Sequence, residues 1–175
     1  MDDLPKTVQY HVTHLLKQAR SQIVDEGEVE PAFVLYSEND THIVDARARN
    51  NAEKDMVAFM VRQLAALHEA HTICHIGEIW GFPDDMPSER QAELLAKYGS
   101  VGGCPGRIEL VMVKVETRDG GMFLVRAQIM RNGRAVTLAK PTVLDTRDME
   151  FGGRYVGLFA PEKPAPDLNS PKDTR

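Results

Sequence analysis

Cysteine is scarce in this 175-residue chain, with Cys74 and Cys104 alone. Two cysteines cannot build the disulfide framework of a small secreted domain, so reduced thiols in a cytoplasmic protein are expected. Dense blocks of lysine and arginine are missing too, and the net charge is −5. General nucleic-acid binding and binding to acidic membranes are therefore not expected. No apolar run approaches the roughly 20 residues of a membrane span. The opening "MDDLPKTVQY" is acidic and polar, the wrong composition for a signal peptide. There is no internal repeat.

Several familiar motifs are also lacking. "GSVGGCPGR" (99–107) has the glycines of a phosphate loop but follows a helical segment and leads into a strand, with no Lys-Ser/Thr. A P-loop needs the opposite order, because its backbone N–H groups cradle phosphate at a helix start. Cys104-Pro105-Gly106-Arg107 lacks the spacing of a cysteine phosphatase loop. Neither a Gly-x-Ser-x-Gly elbow nor a His-Glu-x-x-His pair occurs.

What is present is the composition of a globular domain, 42% apolar and 27% charged, at a length that supports one hydrophobic core. Asp2 or Asp3 is placed to cap a helix opened by Pro5. Val8, Val12, Leu15, Leu16, Ala19 and Ile23 share a stripe at helical spacing, ended by Gly27. His11 lies beside that stripe and His14 further round, and both are expected to be solvated rather than to bind metal.

"PAFVLYSENDTHIVDA" reads as two strands, about Ala32–Ser37 and His42–Ala46, around a polar turn. Asn50 or Asn51 can cap a second helix, with Met56, Phe59, Met60, Leu64 and Leu67 as its apolar face. The β-branched alternation of "HTICHIGEIWGF" then predicts a strand from about Thr72. An insertion, 81–106, contains the capping-box pattern Ser88…Gln91 and a short helix ending at Gly99.

In "RIELVMVKVETRDGGMFLVRAQIMRNGRAVTLAK" the Asn132-Gly133 pair marks a hairpin. A two-residue turn there sets Ile129 opposite Val136, Ala127 opposite Leu138 and Arg131 opposite Arg134. A three-residue loop at Asp119–Gly121 keeps the apolar faces together and sets Val115 opposite Val125 and Glu109 opposite Arg131. After Pro141 periodicity is lost. The terminal "PEKPAPDLNSPKDTR", with four prolines, is expected to be a disordered tail, 161–175, beyond a single domain, 1–160.

The expected fold is α+β: two long helices on one face of a mostly antiparallel sheet of about six strands, in the order α-β-β-α-β-[short α insertion]-β-β-β.

Two constellations could carry chemistry. His68, His71, Cys74 and His75 invite a metal reading, yet Cys74 and His75 are consecutive on a strand and point to opposite faces. At most three ligands could meet, the number a catalytic zinc requires. The preferred reading is no metal and no cofactor, with ordinary residues where a helix gives way to a strand. The second constellation follows from the register. Glu78, Trp80, Arg107, Glu109, Arg131 and Arg134 converge at one end of the sheet, beneath the glycine-rich segment. Two carboxylates, three guanidiniums and an indole suit an anionic or peptide ligand, or else form a salt-bridge network closing the core.

The pattern "GEIW", "GRIELVMV", "DG" and "AQIMRNGR" resembles a group of small bacterial and phage-encoded proteins of unknown function. Those show a helix ending at Glu-x-Trp, a variable loop, an Arg-x-Glu strand and a later Ile-x-Arg. The resemblance spans about Ala32 to Leu138 and implies no activity. It implies that Glu78, Trp80, Arg107, Glu109 and Arg131 belong together.

The function expected from these residues is non-enzymatic binding of a protein, a peptide or a small anionic ligand through the charged sheet end, with homo-oligomerisation open. The alternative is a hydrolase, either metal-dependent through the histidine–cysteine set or carboxylate-based through Glu78 and Glu109. No nucleophile–base pair is visible to support it.

Overall fold

The computed structural model describes residues 1–133, 135–144, 146 and 155–159. The proline-rich tail and Arg134 lie outside the described residues. Helix α1 is Lys6–Asp25, followed by strands β1 (Ala32–Tyr36) and β2 (Thr41–Asp45), helix α2 (Asn51–Leu67) and strand β3 (Thr72–Gly81). Helix α3 (Ser88–Tyr98) and a 3-10 turn (Val101–Gly103) form the insertion. Strands β4 (Ile108–Thr117), β5 (Met122–Asn132), β6 (Ala135–Leu138) and β7 (Thr142–Leu144) complete the order. All the pairings are antiparallel. The sheet runs β2-β1-β3-β4-β5-β6, and β7 pairs with β5 beside β6. Strand β7 falls in the stretch that shows no periodicity. It is three residues long, too short to display an alternation.

The stripe on α1 is buried as its spacing predicts, and Gly27 ends the helical run in the left-handed region at φ 91. The expected Asp2 or Asp3 cap is not made. Pro5 occupies the cap position without a side-chain hydrogen bond. Asn50 does cap α2, accepting from the Glu53 N–H at 2.9 Å. The Glu53 carboxylate answers by accepting from the Arg49 N–H, so two helix-start donors are satisfied together. At α3, Pro87 takes the cap position. Gln91 donates to the Met86 carbonyl instead of closing the capping box.

The two long helices lie on opposite faces of the sheet, not on one. Val34, Tyr36, Cys74, Ile76, Val111, Val113 and Val115 pack with α1. Phe33, Leu35, Val44 and Ile73 pack with Val57, Ala58, Val61 and Ala65 of α2 and with Leu158. Successive strand residues face opposite ways, so these sets define two faces. The unbroken apolar run Ala32–Tyr36 needs both faces covered, and one layer of helices could not do that.

Helix α2 is also rotated from its expected orientation. It buries the small residues Val57, Ala58, Val61 and Ala65 and leaves Met56, Phe59, Met60 and Leu67 exposed. Its last carbonyl region is held by Arg118, whose guanidinium donates to the Ala70 and Ala65 carbonyls at 2.9 and 3.3 Å. A cation is favoured there by the helix dipole.

Both hairpin registers differ from expectation by two residues. Val113 faces Val125 and Val115 faces Phe123. The three-residue loop exists but comprises Arg118–Gly120. Thr117 donates its N–H to the Gly121 carbonyl, and Gly120 sits at φ 93, the left-handed residue such a loop requires. In the second hairpin Ile129 faces Leu138 and Asn132 faces Ala135, so the turn begins at Gly133 (φ 60) rather than at Asn132. A two-residue slip keeps every side chain on its face, which is why the apolar faces survive.

Candidate functional site

Strands β3 and β4 are ten residues each and pair along their full length, ending with Trp80 opposite Glu109 and Gly81 opposite Ile108. Cross-strand partners share a face, so Glu78, Trp80 and Glu109 sit on the α1 side with Ile76 and Val111. Arg131 joins them through the parity of Ile129. The register shift means that Arg131 is not directly across from Glu109. Its guanidinium reaches diagonally instead, with Nε 2.7 Å from Glu109 Oε2.

These residues divide into a brace and an outward surface. In the brace, Glu78 Oε1 accepts the Val29 N–H at 2.8 Å, and Arg131 Nη2 donates to the Gly27 carbonyl at 3.0 Å. Residues 26–31 connect α1 to β1, so Glu78, Glu109 and Arg131 tie that connection across the sheet end. Both candidate carboxylates are thus already engaged. The outward surface is Trp80 and Arg107. The Arg107 guanidinium lies 4.4 Å from the centre of the indole ring, a cation–π distance, and its Nη1 donates to the Cys104 carbonyl at 3.3 Å. Among the described residues Arg107 has no carboxylate partner. Trp80 remains 44% exposed.

The insertion holds this surface in place. Phe82, Leu94 and Cys104 form its own small core with Met86 and Val101. Gly102 lies against the indole so closely that a Cβ there would be 3.3 Å from Trp80 Cδ1. Asp84 pairs with Arg126 of β5. Arg126 pairs with Met112 in the ladder and so belongs to the α2 face. The insertion therefore grips the sheet from both sides.

The four residues of the metal reading fall in separate surroundings. The His68 ring lies tilted against that of His42, with ring centres 3.7 Å apart. His71 is exposed, with Nδ1 2.9 Å from Thr72 Oγ1, because α2 ends at Leu67 and does not reach it. Cys74 is buried in the α1 core, where burial pushes its thiol well above the ordinary range. His75 lies on the α2 face against Phe33 and Tyr155. Burial, and then the neighbouring Lys114 charge, hold its pKa down at about 4. Among the described residues no group of three or more His, Cys, Asp or Glu is arranged to hold a metal ion.

Two features escaped sequence reasoning. Lys114 and Glu116 are buried on the α2 face, 7% and 4% exposed, and pair at 2.7 Å. Glu116 also accepts the Leu158 N–H at 2.8 Å, which fastens the segment 155–159 onto the sheet. Burial lowers the Lys114 pKa, opposed by its hydrogen bond to Glu116. The alternation "VMVKVET" puts both residues on one face, and the signal would have been legible had that face been expected to be covered. The second feature is His11. It is not solvated but 7% exposed, and stacks on Tyr36 at 3.6 Å.

Architecture and site define an α+β protein with an antiparallel sheet between two helices and one sheet end gripped by an inserted helix and glycine-rich turn. Residues 1–157 match the family of bacteriophage lambda protein ea47, and the chain belongs to that family. The match is consistent with a phage-encoded protein, and it covers more of the chain than the resemblance over about 32–138. No curated protein and no solved structure matches the chain. No helix among the described residues is long and apolar enough to cross a membrane.

Proposed function

We propose that this is a binding protein whose contact surface is Trp80 with Arg107 at the insertion-capped sheet end, and that it takes an acidic, partly apolar peptide segment of a partner protein. The observation that carries this reading is the Arg107 guanidinium lying on a half-exposed indole with no carboxylate partner among the described residues. Tryptophan and arginine are the residue types that dominate binding energy at protein interfaces. A guanidinium fork matches a carboxylate in two parallel hydrogen bonds. Leu95 and Tyr98 of α3 add exposed apolar area on the insertion. Glu78, Glu109 and Arg131 support this surface from beneath.

Panning a random peptide library against the full chain tests the proposal. Peptides carrying Asp or Glu beside an apolar residue should be enriched, and Trp80→Ala or Arg107→Glu should abolish the enrichment. Because Trp80 is the single tryptophan, a bound peptide should also shift the protein's indole emission. Enrichment without acidic bias, or equal enrichment by Arg107→Glu, rejects the assignment.

A further inference from the structure

Strand β2 is an edge of the sheet and pairs with β1 alone. Asp40 and Ala46 aim their backbone groups at β1: the Asp40 carbonyl accepts from the Ser37 N–H, and the Ala46 N–H donates to the Pro31 carbonyl. Backbone direction alternates along an antiparallel strand, so Thr41, Ile43 and Asp45 aim theirs away from the sheet. A row of free N–H and C=O groups is a template for another strand, and exposed edges usually carry a lysine, a proline or a bulge that blocks it. β2 carries none of these. Its register against β1 is unbroken, Ile43 at its centre is 70% exposed, and its one carboxylate, Asp45, is held by Arg47.

The edge is complementary to itself. An antiparallel copy of β2 centred on Ile43 sets Ile43 opposite Ile43 and Thr41 opposite Asp45. In no other antiparallel register do all three outward residues find partners within the strand. The two ends of β2 also differ in charge, with Glu38 and Asp40 before it and Arg47 and Arg49 after it. In this register the acidic end of each copy lies beside the basic end of the other. Among the described residues Glu38, Asp40 and Arg49 have no ion-pair partner within the chain.

The layers on either side accommodate the added copy. Helix α2 lies over β1 and β2, and its exposed Met56, Phe59 and Met60 stand beside the same edge. An axis centred between two strands lies half a strand spacing inside the edge. Across a shared β2 edge the two α2 axes therefore fall about two strand spacings, roughly 9.5 Å, apart, the separation of packed helices. A five-residue strand pair alone is too small for a stable interface, and the helix contact enlarges it. On the other face α1 stands back, leaving a groove of about 410 Å³ over Ala32, Val34 and Ile43, so no helix obstructs the joint.

We propose that the β2 edge is a self-association surface: a second copy of this chain pairs its β2 antiparallel to this one about a two-fold axis at Ile43, joining two sheets into one with α2 packed on α2. Two-fold dimers of this kind use the same patch on both copies, which is what the self-complementary register and the opposed charges of the strand ends provide.

Sedimentation velocity and amide hydrogen exchange on the full chain test this. At micromolar concentration the mass should be twice the 19.5 kDa of one chain. The amides of Thr41, Ile43 and Asp45 should exchange slowly in the dimer and faster on dilution. Ile43→Lys, at an exposed position, should give monomers, because like charges directly opposite across strands repel. Arg49→Glu should weaken the dimer about tenfold by setting like charges together across the interface. Adding Glu38→Arg to the same chain should restore it, since the strand ends are again opposite in sign. Arg49→Glu also stands in if Ile43→Lys does not fold. A wild-type monomer overturns the inference and leaves the edge to a different chain. A dimer that survives Ile43→Lys, with the β2 amides still exchanging fast, is joined through another face and overturns it too.

Discussion

Lys114 and Glu116 differ from the other ion pairs in how much water they have lost. Their side chains are 9% and 5% exposed, against 38% and 30% for Arg131 and Glu109. Exposed pairs contribute little because water and salt screen them, whereas removing one partner of a buried pair strands the other charge. Lys114→Met should therefore cost about 3–5 kcal/mol in chemical denaturation. Adding Glu116→Leu should recover part of the loss, and a double-mutant cycle reads the difference. Additive losses would mean that the two charges do not act together. The Glu109–Arg131 cycle should show coupling of only about 0.5–1 kcal/mol, as expected for a half-exposed pair. A coupling of several kcal/mol would mean that the sheet-end brace is much drier than its exposure indicates.

At the scale of elements, α2 decides how the second face of the sheet is closed. Val61 is fully buried and Met56 is 59% exposed, so Val61→Ala should cost roughly 1–3 kcal/mol for the lost methyls and the cavity. Met56→Ala should stay within about 0.5 kcal/mol, as for an exposed position. The reverse ranking, measured by thermal or urea unfolding, would restore the orientation that hydrophobicity alone suggests. The difficulty is that α2 carries two apolar faces. The larger residues Met56, Phe59 and Met60 outweigh Val57, Ala58 and Val61 in any sequence pattern, while the small ones let the helix approach the strands closely. Local signals were legible in the sequence: the α1 stripe, the Asn50 cap, the Gly99 stop of α3 and the loop at Gly120 all rest on a few neighbouring residues. Register was legible only modulo two, since a two-residue slip moves no side chain to the other face. Glu109 still meets Arg131 because the two share a face, not because they are directly opposed. The side of the sheet each helix covers depends on contacts distant in sequence. For that reason His11 read as solvated, and the burial of Lys114 and Glu116 went unread.

For the whole molecule, histidine is buried on one face of the sheet and half-buried on the other, and this sets its response to acid. His11 lies under α1 and His75 on the α2 side, each held at about 4 against an unfolded value near 6.5. Above about pH 6.5 neither state binds the proton, and these groups give no pH dependence. As pH falls from about 6.5 toward about 4, the unfolded chain takes up protons that the folded chain refuses, so stability declines. Below about 4 both states are protonated and the decline from these two groups stops. At pH 5 the loss should be about 2 kcal/mol or less for each histidine relative to pH 7.5. His75→Phe removes one of the two groups and preserves the packing against Phe33 and Tyr155. Denaturation of wild type and variant at both pH values isolates its share, because carboxylate titration is common to the two proteins. The gap between their stabilities should change by about 2 kcal/mol between pH 7.5 and pH 5, in favour of the variant at the lower pH. A gap that stays constant would show that His75 protonates as easily in the folded chain as in the unfolded one, and that the α2 face admits water to the sheet.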